Sequence, residues 1–226
     1  MSHSNTGLLG EGVLALWLDV IAGQIVETDQ WYIDEHLPER VDIGKYFRAR
    51  RYESTDTSSP AYFSLFEAST PEALTSSGYL SLVTKISEQS RRIRSGFRNV
   101  TRNTFRVKSS VGRGTGGLMT CLLLEPLPAR GADSKDEFPL LRQLLQRSRI
   151  TGVHWLEEAP EIRKEMDAHR AVGQEDARVH TVLLVEGTHQ TDIDLALKEL
   201  CTEDRLSSLG LKAITCAPYR LLYEVR

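Results

Sequence analysis

Residues 31 to 40 read WYIDEHLPER, an aromatic pair, three carboxylates around His36, and an arginine, all in one short stretch. A histidine exchanges a proton near neutral pH, and a neighbouring carboxylate tunes it, so His36 is the residue here best suited to acid/base work. On a helix, Tyr32 and His36 are four residues apart and share an edge, with Asp29 one turn before Tyr32, while Trp31 and Glu35 pair further round. A nucleophile is harder to find, because no Ser or Cys sits in a strand-turn-helix elbow. Metal binding is also unsupported: no second His or Cys stands at ligand spacing from His36, and His154, His169, His180 and His189 occur singly further along.

The same residues have a plainer reading. Pro38 disfavours helix at Leu37, which puts His36 in a last turn where it can cap free carbonyls and sit well with the helix dipole. Glu35 and Glu39 can pair with Arg40 or Arg48 at the surface. At roughly 100° per residue, Val26, Ile33 and Leu37 form the stripe expected to face the core, with His36 on its border.

The strand that follows supplies partners. In RARRYES, Arg48, Arg50 and Tyr52 share one face by alternation. Arg50 is suited to hold an anionic or enolate oxygen, and Tyr52 to donate a hydrogen bond. The candidate site is therefore His36, Arg50 and Tyr52 as catalytic groups, lined by Trp17, Trp31, Tyr32 and Phe66. The competing reading makes the arginines guards of a sheet edge and Trp17 ordinary core.

The elements that must position these groups follow from periodicity. GVLALWLDV is a strand apolar on both faces, hence covered on both; IVETDQWYIDEHL is a helix; GKYFRARRYEST and PAYFSLFEAS are strands divided by DTSSP. A helical region opens at Thr70-Pro71 with a break near Ser77 and Gly78, and RNVTRNTFRVKS closes the unit as a strand, giving βαββαβ. VGRGTGG is glycine-rich, but it leads into another strand and lacks a Lys-Ser/Thr ending, so it reads as a linker and not a phosphate loop. The order then repeats in LMTCLLLE, FPLLRQLLQRSR, TGVHWLEEA, RVHTVLLVEG, TDIDLALKELC and AITCAPYRLLYEV. The domains expected are 10–110, a linker at 111–117, and 118–226. A charged insertion at 158–178 has no counterpart in the first half and is a candidate partner-binding segment. Since both faces of each sheet are apolar, the expected fold class is α+β, two ferredoxin-like units covering each other as a pseudo-dimeric barrel within one chain.

Composition narrows the function. With 226 residues, 40% hydrophobic, 26% charged and a net charge of -3, the chain has no field to draw phosphate backbones, which argues against nucleic acid. The basic run from Arg91, interleaved with Phe97 and Phe105, is the one stretch that invites a single-strand platform. Three scattered cysteines form no CxxC pair, and neither a signal peptide nor a membrane-length apolar run is present, so a cytoplasmic protein with reduced thiols is expected.

Trp31, then EHLPER, RARRY and PAYFSLFE together resemble the dimeric α+β barrel superfamily, especially its EthD-like and uncharacterised bacterial members, over residues 12 to 108. That resemblance implies a pocket between helices and sheet or at the barrel mouth, to which a histidine near the end of the first helix, here His36, contributes. It also implies homodimers, whereas a chain carrying both halves implies a pseudo-dimer. Fold analogy alone does not choose a reaction. The function expected is a cofactor-independent enzyme acting on a small aromatic or polyketide-like molecule by proton transfer or oxygenation. A non-catalytic ligand-binding or interaction module and a haem-binding tandem barrel are the alternatives.

Overall fold

The computed structural model describes residues 7–57, 60–128, 136–169 and 176–226. In chain order the strands and helices are β1 (Gly12–Val20), α1 (Ile25–Trp31), a π-helical turn (Tyr32–His36), α2 (Leu37–Asp42), β2 (Arg48–Ser54), β3 (Tyr62–Ala68), a short 3-10 turn (Glu72–Thr75), α3 (Ser77–Thr84), α4 (Glu88–Arg94) and β4 (Phe97–Gly112). They continue with β5 (Leu118–Pro126), α5 (Phe138–Leu145), β6 (Ile150–Glu158), α6 (Pro160–Ala168), β7 (Thr181–Gly187), α7 (Gln190–Leu200), α8 (Glu203–Ser208) and β8 (Leu211–Val225). The hydrogen-bonded strand order, β1-β3-β2-β8-β5-β7-β6-β4, closes on itself within the one chain.

Two compact units emerge. One comprises the described residues within 9–106, 158–178 and 221–226; the other comprises those within 7–8, 107–157 and 179–220. In the first, β1 pairs antiparallel with β3 and β4, and β3 with β2. In the second, β5 pairs antiparallel with β7 and β8, and β7 with β6. The glycine-rich stretch joins β4 to β5. Gly116 is required there, because a Cβ would stand 2.6 Å from the backbone nitrogen of Gly187.

In the first unit, apolar alternation does what it was expected to do. Leu14 and Leu18 of β1 and Tyr62 and Phe66 of β3 pack with Trp31, Tyr32 and Leu37 of the helical segment. Trp17, one residue out of phase, stacks instead on Phe63 at 4.9 Å, and Tyr52 stacks on the same ring at 5.4 Å. Both faces of the sheet are therefore aromatic.

Two expectations fail in the helical segment. Pro38 does not end it, since helical backbone runs on to Asp42. Proline lacks an N–H to donate, and the chain bypasses the gap with a π turn in which Leu37 N–H donates to the Tyr32 carbonyl five residues back. His36 thus sits inside a continuous helical run and caps nothing. That turn also shifts the helix phase: Val26 is 84% exposed and Ile33 42%, while the buried side chains are Thr28, Trp31, Tyr32, His36, Leu37 and Arg40.

The described residues of the insertion expected to contact partners, 158–169 and 176–178, fold onto their own chain. Ala159 N–H donates to the Thr104 carbonyl at 2.8 Å, and Thr104 Oγ1 donates back to Ala159 O at 2.8 Å. Along α6, Ile162 and Met166 join the first unit's core. Beside it Arg163 donates to Asn103 Oδ1 at 3.0 Å, and Arg102 pairs with Asp167 and Asp176. Phe97 and Phe105 are buried, so the basic run offers no stacking platform. Among the described residues no helix is long and apolar enough to cross a membrane.

Candidate functional site

The helical segment buries a ladder of polar side chains. Thr28, Tyr32, His36 and Arg40 follow one another at intervals of four and are each at most 7% exposed. Each carries a buried polar atom with no hydrogen-bond partner: Thr28 Oγ1, the Tyr32 hydroxyl, His36 Nδ1 and one Arg40 Nη. A buried polar group left without a partner costs about 1–3 kcal/mol, and four of them follow one another along this stripe.

Aromatic rings hold the imidazole. His36 stacks on Trp31 at 4.3 Å and meets Tyr32 at 4.9 Å and Phe66 at 5.9 Å edge-on. Trp31 is itself fixed: its indole N–H donates to Ser90 Oγ at 3.1 Å, and Ser90 donates to Glu35 Oε1 at 2.6 Å. Ser87 also donates to that carboxylate oxygen, at 3.0 Å. Burial works to raise the Glu35 pKa, but these hydrogen bonds and Arg94 outweigh it and hold the carboxylate below its usual range.

The surroundings are cationic. Burial pushes His36 well below its ordinary pKa, and the guanidiniums of Arg40, Arg94 and Arg51 push it further in the same direction. His36 is therefore a neutral imidazole. Arg51 lies between Tyr32 and Tyr62, 3.7 and 4.3 Å from the ring centroids, and bonds Asp29 Oδ1 at 2.8 Å; its Nη1 is buried without a partner. Arg40 rests over Tyr79 at 5.2 Å.

Of the residues expected from sequence, the structure gathers His36, Trp31, Tyr32 and Phe66 on the helix-covered face of the sheet. It puts Arg50, Tyr52 and Trp17 together on the other face: Arg50 lies 5.8 Å from the Tyr52 ring, and Tyr52 and Trp17 share Phe63. There Arg48 and Arg50 converge on Glu67, which Arg48 grips with Nε and Nη2 at 2.8 Å each and Arg50 with Nη2 at 2.9 Å. Burial works to raise Glu67, but the two guanidiniums and the Leu9 N–H outweigh it and keep the group ionised. The arginine that serves the His36 face is Arg51. Sequence reasoning missed Thr28, Arg40 and Arg51, although the spacing 28, 32, 36, 40 was open to view.

The second unit holds a smaller buried chain. His154 lies 2.8 Å from Ser110 Oγ through Nδ1 and 3.2 Å from Glu186 through Nε2, and Glu186 accepts the Gly116 N–H at 2.8 Å. Ser110 Oγ also accepts the Leu8 N–H at 2.9 Å, so these groups are mutually satisfied.

No family model matches the chain, and no curated protein does. Solved structures do. An anthrone oxidase-like protein superposes with a TM-score of 0.56 at 11% identity, covering 100% of this chain and 95% of that one. A candidate monooxygenase from Fusobacterium nucleatum gives 0.56 at 7% identity, covering 96% and 95%. A haem-binding protein from Thermus thermophilus gives 0.55 at 10% identity, covering 96% and 93%. The likeness carries the fold, an α+β barrel of eight antiparallel strands; at such identities it does not carry chemistry.

The histidine that the sequence offers as a haem ligand, His36, is stacked on Trp31 and edged by Tyr32 and Phe66. Among the described residues no group of three or more His, Cys, Asp or Glu converges to hold a metal ion.

Proposed function

We propose that the chain binds a small planar organic molecule beside the Thr28-Tyr32-His36-Arg40 stripe and acts on it as an enzyme, with His36 taking a proton from the bound molecule. The observation that carries this reading is the buried, partnerless Nδ1 of a neutral imidazole. A neutral imidazole can accept a proton at rest, and the base that Trp31, Tyr32 and Phe66 hold in place loses little freedom when it acts. The Tyr32 and Thr28 hydroxyls and the Arg40 and Arg51 guanidiniums supply donors toward the same face. Arg50 and Tyr52 are read instead as part of the ion-pair cluster around Glu67.

The neighbours' descriptions, an anthrone oxidase-like protein and a candidate monooxygenase, agree with a small aromatic or polyketide-like substrate. We read the fold behind it as two ferredoxin-like halves in tandem. Support comes from the strand order, which within each unit runs second, third, first, fourth in both halves. Assembly of this pseudo-dimer into a homodimer and a cytoplasmic location belong to the same proposal.

The test is a turnover assay over aromatic ketones, phenols and lactones with wild type and His36→Ala. Loss of about a hundredfold or more in kcat, with folding intact, is the result expected for a general base. Unchanged turnover removes His36 from the chemistry. Binding without turnover in either protein makes the site a non-catalytic one.

A further inference from the structure

Arg40 stands apart from the other buried cations of its unit. Arg48 and Arg50 meet Glu67, Arg51 meets Asp29, and Arg102 meets Asp167 and Asp176. Arg40 is 3% exposed, one Nη is buried without a hydrogen bond, and among the described residues its side chain has no ion pair. What it has is the Tyr79 ring at 5.2 Å. Glu39 attracts Arg40 without closing a salt bridge, and a guanidinium held away from water with no carboxylate in hydrogen-bond contact is costly.

The same unmet demand recurs along the stripe. Arg51 has a buried Nη1 to spare, Tyr32 a buried hydroxyl, and the nearest titratable ring, His36, is kept neutral by burial and by three guanidiniums. Trp31, Tyr32 and Phe66 pack around His36 in the same stripe. A neutral aromatic molecule would leave the guanidinium unpaired; a carboxylate matches its planar fork.

We infer that the molecule bound at the His36 face is an aromatic carboxylate, its anionic group received by Arg40. The inference rests on the proposed function and adds the chemical class of the ligand.

The experiment compares matched pairs, benzoate with benzamide and naphthoate with naphthamide, by calorimetric titration and melting temperature on the full chain. The proteins are wild type, Arg40→Met, and Arg113→Met as an exposed control in the other unit. Expected is a preference of about ten- to a hundredfold for the carboxylate in wild type and Arg113→Met, lost in Arg40→Met. Ligand-free Arg40→Met melts higher than wild type, since an uncompensated buried charge has gone. Equal binding of carboxylate and amide, or a preference that survives in Arg40→Met, overturns the inference while leaving a small-molecule site in place. Failure of every carboxylate to bind overturns it as well. Failure of the amides too, with Arg40→Met melting lower than wild type, overturns the proposed function along with it.

Discussion

The imidazole of His36 lies nearly flat against the indole of Trp31, with centroids 4.3 Å apart and planes 24° from parallel. Because Trp31 is held through Ser90 to Glu35, the position of His36 is set by a chain of hydrogen bonds that begins one residue before it. The carboxylate next to the histidine in sequence therefore acts on the ring through the indole, and no hydrogen bond joins Glu35 to His36 directly.

Acid should destabilise the protein through His36. Its folded pKa lies well below the ordinary value, so between the two pKa values the unfolded chain binds the proton and the native state does not. Stability is complete above the unfolded pKa of about 6.5 and falls as pH drops toward the depressed folded value, by up to about 1.4 kcal/mol per unit. His36→Phe, which keeps an aromatic ring against Trp31, should flatten that part of the stability-pH curve measured by urea unfolding. An unchanged slope would mean that His36 is protonated in the native state.

Ser90→Ala removes the acceptor of the Trp31 indole N–H and one donor to Glu35. A loss of about 1–3 kcal/mol is expected, since Trp31 is 2% exposed and its N–H keeps only the Glu35 carboxylate within reach. A chemical-denaturation midpoint within error of wild type would show that water replaces the serine at no cost.

Glu67→Gln leaves Arg48 and Arg50 without their shared anion, with all three groups at most 3% exposed. Breaking a buried pair in this way costs about 3–5 kcal/mol, and thermal unfolding should register it as one of the most damaging single changes in the chain. Because Glu67 lies across the sheet from His36, the variant should bind ligand with unchanged affinity at temperatures where it remains folded.

Thr28→Val replaces a buried hydroxyl that has no partner with a methyl group of similar shape. Stability of the ligand-free protein should stay equal or rise by up to about 1 kcal/mol, since removing an unmet polar group relieves its desolvation cost. A drop of several kcal/mol in equilibrium unfolding would instead reveal a hydrogen bond that matters to the fold.

Much of this was legible in the residue order. Period-two alternation located every strand, and it correctly put Arg48, Arg50 and Tyr52 on one face: Arg48 and Arg50 share Glu67, and Arg50 lies against Tyr52. It could not say which face looked toward the helices, because Phe63 and Leu65 on one side are as apolar as Tyr62 and Phe66 on the other. When both faces are buried, the pattern that normally fixes a strand's orientation carries no information. Arg50 was therefore assigned to His36 where Arg51 belongs.

The helix was read one turn wrong for a related reason. Val26 and Ile33 are the obvious core residues by type, yet the structure exposes them and buries Thr28, His36 and Arg40. A regular helix cannot bring Trp31, Tyr32, His36 and Leu37 onto one face together, and the π turn before Pro38 does so by adding a residue to the turn.

The sequence by itself determined the strands, the order of the elements, and the fact that a histidine flanked by aromatic and acidic residues lies in the helical segment between the first two strands. These follow from local periodicity and side-chain type, which neighbouring residues settle among themselves. Only the tertiary structure decided that His36 is neutral, that Arg51 and Arg40 attend it, and that Arg50 does not. Charge state depends on burial and on groups distant in the chain, here Arg51 and Arg94, and neither exists until the sheet and the helices have packed.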